Sequence, residues 1–183
     1  PGVRPVLLRH DAKRLPPLDA VGLPGGFSYG DALRPGAIAR FAPLMAEVGR
    51  FAQAGGAVFG ICNGFQILTE AGLLPGALLP NEGGRFICRA VHVQLAGRST
   101  PMTAGLRAGR LLRLPVAHDA GRYHLDPAGL AELEAEGRVV LRYRPAPTSE
   151  GTGNPNGSRG DVAGICSLQG NVVGLMPHPE RAA

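Results

Sequence analysis

The sequence predicts an α/β protein with an open, mostly parallel sheet flanked by helices and with additional antiparallel strands in the C-terminal half. The first observation is that short apolar runs alternate with helix-like patterns as far as residue 72, because strands joined through helices run parallel. The second is that beyond residue 86 several strand-like runs follow one another without long helices. We therefore expect a parallel part followed by an antiparallel part.

Three short strands and two helices are predicted in the N-terminal half. Apolar runs indicate buried strands at residues 6–8, 20–23 and 57–61. The first helix has one apolar face, formed by Leu44, Val48, Phe51 and Ala52, and it ends at Gly55 and Gly56. The second helix follows Cys62 and ends near Gly72, because Pro75 prevents its continuation.

In the C-terminal half, strand-like runs cover residues 86–95, 111–116, 139–143, 162–167 and 171–175, and a solvent-facing helix is predicted at 127–136. The last two strands are separated only by Leu168-Gln169-Gly170, which predicts a hairpin. The return strand leads to His178. It would bring this histidine to the C-terminal edge of the parallel strands, where open α/β sheets collect their functional sites.

Cys62 lies where a predicted strand ends and a helix begins. Gly60 and Gly64 stand two residues to either side, so the chain can turn sharply and hold the cysteine in a strained position with its sulfur exposed. The free amide N–H groups and the positive end of the helix dipole favour a thiolate over a thiol. The pattern therefore indicates a catalytic nucleophile.

A second pattern follows the last predicted strand, in the segment Met176-Pro177-His178-Pro179-Glu180-Arg181. The two prolines fix the backbone around His178, and the spacing lets Glu180 orient the imidazole or stabilise its charge. With Cys62 these residues predict a cysteine, histidine and glutamate set in which His178 is the base and Glu180 orients it.

Five separated segments resemble, in order, those of the class I (triad) glutamine amidotransferases and, within them, the glutaminase subunits of phosphoribosylformylglycinamidine synthase, an enzyme of purine biosynthesis. The resemblance runs from about Val3 to Arg181 and includes a Gly-x-Cys-x-Gly-x-Gln segment around Cys62. The five segments are residues 23–31 (LPGGFSYGD), 62–68 (CNGFQIL), 115–118 (PVAH), 154–158 (NPNGS) and 176–181 (MPHPER).

This resemblance implies a flavodoxin-like fold and a single amidotransferase domain over residues 1–183 that lacks the family's first strand and helix and its extreme C-terminus. It implies that Cys62 attacks the side-chain amide of glutamine, releases ammonia and forms a glutamyl thioester that water hydrolyses to glutamate. Backbone N–H groups of Gly26 and Asn63 would form the oxyanion hole, where one donor is worth about 3 kcal/mol. Gly25 and Gln66 are further candidates for substrate binding.

The resemblance also implies partners. The ammonia would pass to a larger synthetase subunit that uses ATP and Mg²⁺ to convert formylglycinamide ribonucleotide to formylglycinamidine ribonucleotide, with a small accessory subunit, and the free chain would idle until docked. In this chain itself we expect no cofactor. It has no P-loop, its single lysine is Lys13, and residues 25–30 do not fit the dinucleotide fingerprint.

Length and composition favour one compact domain, since the chain has 183 residues of which 44% are hydrophobic. It contains no run of 18 apolar residues and no charged leader, so neither a membrane span nor secretion is predicted. The net charge is +5, but the basic residues are scattered and aromatics are 5%, which argues against nucleic-acid binding. Three widely spaced cysteines favour a reducing cytoplasm.

Other residues with reactive side chains are given simpler interpretations. Cys88 and His92 have a spacing that metal sites use, but no second pair accompanies them, so no metal site is predicted. We expect Cys88 on the inner face of its strand and Cys166 in the core. For His118 a position near the active site or partner and a structural role both remain open.

The segment 145–160 is the longest loop candidate, and its Gly, Pro, Asn and Ser content favours turns. Two interpretations remain open for it, a solvated connector or a surface at the partner interface or ammonia exit. In neither case is it expected to contribute to the core.

Two other functions remain open. One is a hydrolase or protease-like relative with the same cysteine elbow, although such proteins commonly have a histidine directly after the nucleophile, where this chain has Asn63. The other is a non-catalytic binding subunit that kept the fold. Modification of Cys62 by a glutamine analogue or iodoacetamide, ahead of Cys88 and Cys166, would favour the glutaminase.

Overall fold

The computed structural model describes residues 2–147, 151 and 153–182. Over these residues the regular elements are, in chain order, β1 (Ala20–Leu23), α1 (Pro43–Gln53), β2 (Ala57–Ile61), α2 (Asn63–Glu70), β3 (Ala77–Leu79), β4 (Ile87–Leu95), β5 (Leu111–His118), β6 (Arg122–His124), α3 (Pro127–Ala135), β7 (Val139–Arg144), β8 (Val162–Cys166) and β9 (Val172–Leu175).

Seven of these strands form one sheet in the order β1-β2-β9-β8-β7-β4-β5. The pairs β1–β2 and β2–β9 are parallel, and the pairs that follow along the sheet are antiparallel. The strands β3 and β6 form a separate antiparallel pair that the sequence did not predict. The predicted α/β class, with its additional antiparallel strands in the C-terminal half, is confirmed.

The predicted hairpin of β8 and β9 is also confirmed, with Ile165 opposite Gly174. Because β9 then runs parallel to β2, with Ile61 opposite Leu175, the chain leaves both strands at the same edge of the sheet. This register places Cys62 and the segment that carries His178 side by side.

Two apolar clusters cover the sheet. One packs helices α1, α2 and α3 against one face, and the other lies among β4, β5, β7, β8 and β9. Successive side chains of a strand point to opposite faces of the sheet, so neighbouring residues of β9 belong to different clusters. Val172 belongs to the first cluster and Val173 to the second. Both sides of β9 are therefore buried, which fixes the position from which His178 emerges.

The helices begin and end where the sequence indicates. Helix α1 has Pro43 at its first turn and buries Met45, Val48 and Ala52. In helix α3 the Asp126 side chain caps the N-terminus by accepting a hydrogen bond of 3.0 Å from the Gly129 amide.

The strand predicted at residues 6–8 is wrong. These residues lie outside the sheet, and Leu7 is 97% exposed. Three apolar residues form a strand only where a neighbouring edge receives their backbone hydrogen bonds. Among the described residues, β1 pairs with β2, and no strand pairs with residues 6–8.

Helix length also bears on membrane insertion. In the described part of the chain, no helix combines the length and the apolar character that a membrane crossing requires.

Candidate active site

Cys62 occupies a sharp turn between β2 and α2. Its backbone is left-handed, with φ 51° and ψ −106°, which is a strained conformation for a residue with a side chain. The flanking glycines allow this turn to pack closely. A Cβ on Gly60 would lie 2.6 Å from the Gly64 carbonyl oxygen, and one on Gly64 would lie 2.1 Å from the Leu23 carbonyl oxygen. The two glycines therefore let α2 contact the ends of both strands.

The Cys62 sulfur is buried, with the residue 5% exposed. Its amide donates to the Leu175 carbonyl at 2.8 Å, and its Sγ donates to the Ala117 carbonyl at 3.6 Å. Burial raises the pKa of the Cys62 thiol to about 11, although the Asn63 amide and Arg181 act in the opposite direction. The prediction that Cys62 is an exposed thiolate is therefore wrong for the isolated chain, because desolvation outweighs the helix N-terminus.

His178 is held from two directions. Its amide donates to the Pro115 carbonyl at 2.8 Å, and its Nδ1 lies 2.6 Å from Oε1 of Glu180. A carboxylate can only accept, so Nδ1 carries the proton and Nε2 is left as an acceptor. Nε2 is buried and has no hydrogen-bond partner among the described residues. The structure thus joins His178 and Glu180 as the sequence predicts.

Gly25 brings the histidine and the cysteine together. A Cβ on Gly25 would lie 2.7 Å from Cε1 of His178 and 3.5 Å from Cβ of Cys62. Both side chains therefore approach the same point beside the Gly25 backbone. This contact gives Gly25 a packing role beside the imidazole, and the contact with substrate that the resemblance implies for Gly25 stays a prediction.

A cavity of about 300 Å³ opens over these residues. This volume is at the lower end of the range for small-molecule sites. Its walls include Gly26, Cys62, Gln66, His118, His178 and Arg181. The structure thus gathers four segments of the chain around the cysteine, and Arg181 is a cavity residue that the sequence interpretation did not single out.

Asn63 and Gly26 are the two residues of the predicted oxyanion hole. The backbone amide of Asn63 contacts the Cys62 sulfur, and Gly26 lines the cavity. Asn63 also makes a side-chain contact. Its side-chain Oδ1 accepts from the Ser28 amide at 3.3 Å. The Asn63 side chain therefore ties the loop that carries Gly26 to the first turn of α2.

Gln66 is buried, and both ends of its amide are already engaged. Its Oε1 accepts from Nδ2 of Asn63 at 2.9 Å, and its Nε2 donates to the Ala120 carbonyl at 2.6 Å. It lines the cavity, but its polar atoms connect α2 to the turn after β5. This arrangement supports a structural contribution more than the substrate contact that the resemblance implies.

His118 ends β5, lies in the cavity wall and is 3% exposed. Its Nδ1 is 3.1 Å from Oδ1 of Asn81. Both interpretations of His118 therefore remain open. Its place in the cavity wall agrees with a position near the active site, and its contact with Asn81 agrees with a structural role. Asn81 itself was missed, because a buried asparagine in a turn-rich segment looks like any other turn residue in the sequence.

The two other cysteines differ from each other. Cys166 is fully buried in β8, as predicted. Cys88 is exposed and lies in the cavity wall, so its expected place on the inner face of β4 is wrong. The buried alternation of β4 begins only at Val91, because the first part of the strand extends past the core. Among the described residues, no group of three or more His, Cys, Asp or Glu side chains is arranged for a metal ion.

The segment 153–160 is packed against the turn after β5. Asn156 and Ser158 are buried, and Nδ2 of Asn156 donates to the Gly121 carbonyl at 2.8 Å. Oγ of Ser158 accepts from the Tyr123 amide at 3.0 Å. The expectation that the whole loop stays out of the core is wrong here, because its polar side chains satisfy buried backbone groups. Residues 148–150 and 152 of the predicted loop lie outside the described residues.

The comparisons with known proteins define the class of protein to which this fold and cavity belong, the glutamine amidotransferases. A family model described as the CobB/CobQ-like glutamine amidotransferase domain matches residues 7–183. A protein of Rubrobacter xylanophilus named phosphoribosylformylglycinamidine synthase subunit PurQ is 59% identical over 182 residues, which cover 100% of this chain and 79% of the relative.

The protein of the same name from Thermus thermophilus is 55% identical over 181 residues, covering 99% of this chain and 79% of its own. The solved structure of PurLQS from Thermotoga maritima superposes with a TM-score of 0.79 at 44% identity, over 92% of this chain and 72% of that one. The chain belongs to the family of phosphoribosylformylglycinamidine synthase PurQ subunits, and the resemblance seen in its sequence is confirmed.

Proposed function

We propose that this chain hydrolyses glutamine to glutamate and ammonia through a thioester on Cys62. The observation that carries the proposal is the shared cavity in which Cys62 and the His178–Glu180 pair meet beside Gly25. No cofactor is required in this chain, because a thiol, an imidazole and backbone donors suffice for amide hydrolysis.

In the first half of the reaction, Nε2 of His178 accepts the Cys62 proton as the sulfur attacks the carboxamide carbon. Glu180 accepts a hydrogen bond from Nδ1 and stabilises the imidazolium that forms. The negative oxygen of the tetrahedral intermediate is held by the backbone N–H groups of Gly26 and Asn63. The imidazolium then protonates the leaving nitrogen, the C–N bond breaks, and ammonia leaves a glutamyl thioester.

In the second half, His178 removes a proton from water, which attacks the thioester carbon. The C–S bond breaks, the sulfur regains its proton, and glutamate is released. The same two residues therefore act in both halves, with the histidine alternating between base and acid.

The names of the relatives support a place for this chain in a larger assembly. We propose that it binds a larger synthetase subunit and a small accessory subunit, as the name PurLQS indicates for the Thermotoga maritima structure. The ammonia would be delivered to the synthetase, where ATP and Mg²⁺ support formation of formylglycinamidine ribonucleotide. A cytoplasmic location fits three unpaired cysteines, two of which lie in the cavity.

Docking would also activate the chain. With the pKa of Cys62 raised to about 11 by burial, the sulfur of the isolated chain is a protonated thiol at neutral pH. Reorganisation of the cavity on contact with the synthetase would bring Nε2 of His178 into line with this proton. We therefore expect low glutaminase activity in the isolated chain and higher activity in the complex.

The test measures glutamate and ammonia release with and without the synthetase subunits. Cys62→Ala should abolish glutamine-dependent amination in the complex but leave amination with added ammonium chloride intact. Cys88→Ser is the matched control, because it changes a second cysteine of the same cavity and should retain activity. Glutamine hydrolysis that survives Cys62→Ala would contradict the proposal and favour a non-catalytic binding subunit.

A further inference from the structure

We propose that the cavity discriminates glutamine from glutamate through two hydrogen-bond acceptors at the end of β5, Nε2 of His118 and the carbonyl oxygen of Ala117. We call this pair of atoms the acceptor wall. In this arrangement the two acceptors receive the N–H groups of the substrate carboxamide. The inference rests on the proposed function, since it concerns the same site and adds a specificity-determining residue to it.

The first step is the protonation state of His118, which Asn81 fixes. Nδ2 of Asn81 donates to two carbonyls, those of Arg85 and His118, each at 2.9 Å. Its Oδ1 accepts from the Gly121 amide at 3.1 Å, so the orientation of the Asn81 amide is determined. The same Oδ1 faces Nδ1 of His118, which must therefore carry the proton. Nε2 is left with a lone pair and no hydrogen.

The second step is that this lone pair has no partner. Nε2 of His118 is buried and accepts no hydrogen bond from the described residues. The ring lies against the Gly121 backbone, where a Cβ would come within 2.3 Å of Cε1 and 2.6 Å of Nε2, so the imidazole cannot move further toward that side. A buried acceptor left unpaired is unfavourable, and a bound N–H donor removes that cost.

The third step is the polarity of the two sides of the cysteine. The sulfur contacts a donor, the Asn63 amide, and it lies 3.6 Å from an acceptor, the Ala117 carbonyl. A carboxamide carbon at this sulfur would direct its oxygen toward the donors and its nitrogen toward the acceptors. A carboxylate would instead place an oxygen against the Ala117 oxygen and Nε2 of His118, where oxygen and nitrogen lone pairs repel.

The charge state of the histidine agrees with this arrangement. Burial lowers the pKa of His118 to about 4, with His178 acting in the same direction and Asp119 in the opposite one. At neutral pH the ring is therefore uncharged and remains an acceptor. Nε2 also carries no proton that it could give to the released ammonia, which keeps its nucleophilic lone pair.

The experiment measures binding to the assembled complex that carries Cys62→Ala, so that ligands are not consumed. The three ligands are L-glutamine, L-glutamate and 5-oxo-L-norleucine, in which a methyl group replaces the carboxamide nitrogen. Glutamine should bind at least about tenfold more tightly than either of the others, because only glutamine offers N–H donors to buried acceptors. Equal affinity for glutamine and the methyl ketone would overturn the acceptor wall without any substitution at His118.

Two variants of His118 then test the residue itself. In His118→Leu the advantage of glutamine over the other two ligands should fall toward one, and His118→Gln should restore most of it, since its side-chain oxygen can accept. If His118→Leu weakened the binding of all three ligands equally, His118 would not determine specificity and would have a packing role only. The proposed function is tested separately, with Cys62 intact. A complex that releases ammonia from glutamine but fails the ligand comparison contradicts the acceptor wall alone, whereas one that releases none contradicts both.

Discussion

Gly25 packs directly against the imidazole of His178, and a Cβ at Gly25 would come within 2.7 Å of Cε1. The ring has little room to retreat, because the residue is 3% exposed and its amide is bonded to the Pro115 carbonyl. The absence of a side chain at Gly25 is thus what allows the imidazole of His178 to stand next to Cys62.

We therefore predict that Gly25→Ala lowers kcat at least ~100-fold, since misplacement of a catalytic group by about 1 Å has that effect. The measurement is glutamine-dependent ammonia release by the complex. Gly22→Ala is the matched control, because a Cβ on Gly22 would meet no atom within 4 Å. Equal activity of the two variants would show that the imidazole can move without loss.

A second prediction concerns the selectivity of thiol reagents. Iodoacetamide should alkylate exposed Cys88 before buried Cys62, whose pKa is raised to about 11 by burial, and this order reverses the one expected from the sequence. A chloroketone analogue of glutamine should instead select Cys62, because binding places its electrophilic carbon at the sulfur. Peptide mass mapping after brief exposure distinguishes the two patterns. Modification of Cys88 by the analogue in preference to Cys62 would place the nucleophile elsewhere.

A third prediction follows from the same pKa. Burial raises the pKa of the Cys62 thiol from 9.0 to about 11, so the folded state retains its proton where the unfolded state loses it. The resulting stability is fully present below pH 9 and is lost as the pH rises toward 11, by about 3 kcal/mol at most. Urea unfolding of the wild-type chain and Cys62→Ala between pH 8 and 11 measures it.

The unfolding free energy of the wild-type chain minus that of Cys62→Ala should therefore fall as the pH rises. Buried Tyr123 and Tyr143, whose pKa values burial also raises, are present in both chains and cancel in this comparison. Parallel curves for the two chains would mean that the sulfur ionises equally easily in both states.

A fourth prediction concerns the segment packed against the turn after β5. Ser158→Ala should destabilise the chain by about 1 to 3 kcal/mol, because the buried Tyr123 amide loses its acceptor. Ser99→Ala, at an exposed serine, is the matched control and should change the unfolding free energy little. Thermal or urea unfolding of both variants provides the measurement. Equal effects would show that the bond between Ser158 and the Tyr123 amide does not stabilise the fold.

The sequence predicted best what depends on local pattern. The elbow at Cys62, the hairpin that returns to His178 and the spacing of Glu180 are each contained in a short segment, and the structure has all three. Burial was predicted less well, because it depends on what lies opposite in space. Cys88 was expected inside its strand and is exposed, whereas the polar Asn156 was expected outside and is buried.

The raised pKa of Cys62 was not predicted from the sequence for the same reason. A helix N-terminus can be read from the sequence, but burial dominates the pKa of Cys62, and burial depends on distant residues such as Ala117, whose carbonyl contacts the sulfur. Asn81 could not be found for a related reason, since its contacts are with residues 37 and 40 positions further along.

The parts of the cavity form over very different distances along the chain. Helix α2 makes its hydrogen bonds within residues 62–71, whereas the Cys62 amide needs the carbonyl of Leu175, and the opposite side needs Asn81 and Asn156 to meet residues 118–121. Contacts between distant residues are slow to form, so during refolding the amides of α2 should gain protection from hydrogen exchange before the Cys62 amide does. A newly made chain would therefore hold this helix for some time before the sulfur is fixed at its start.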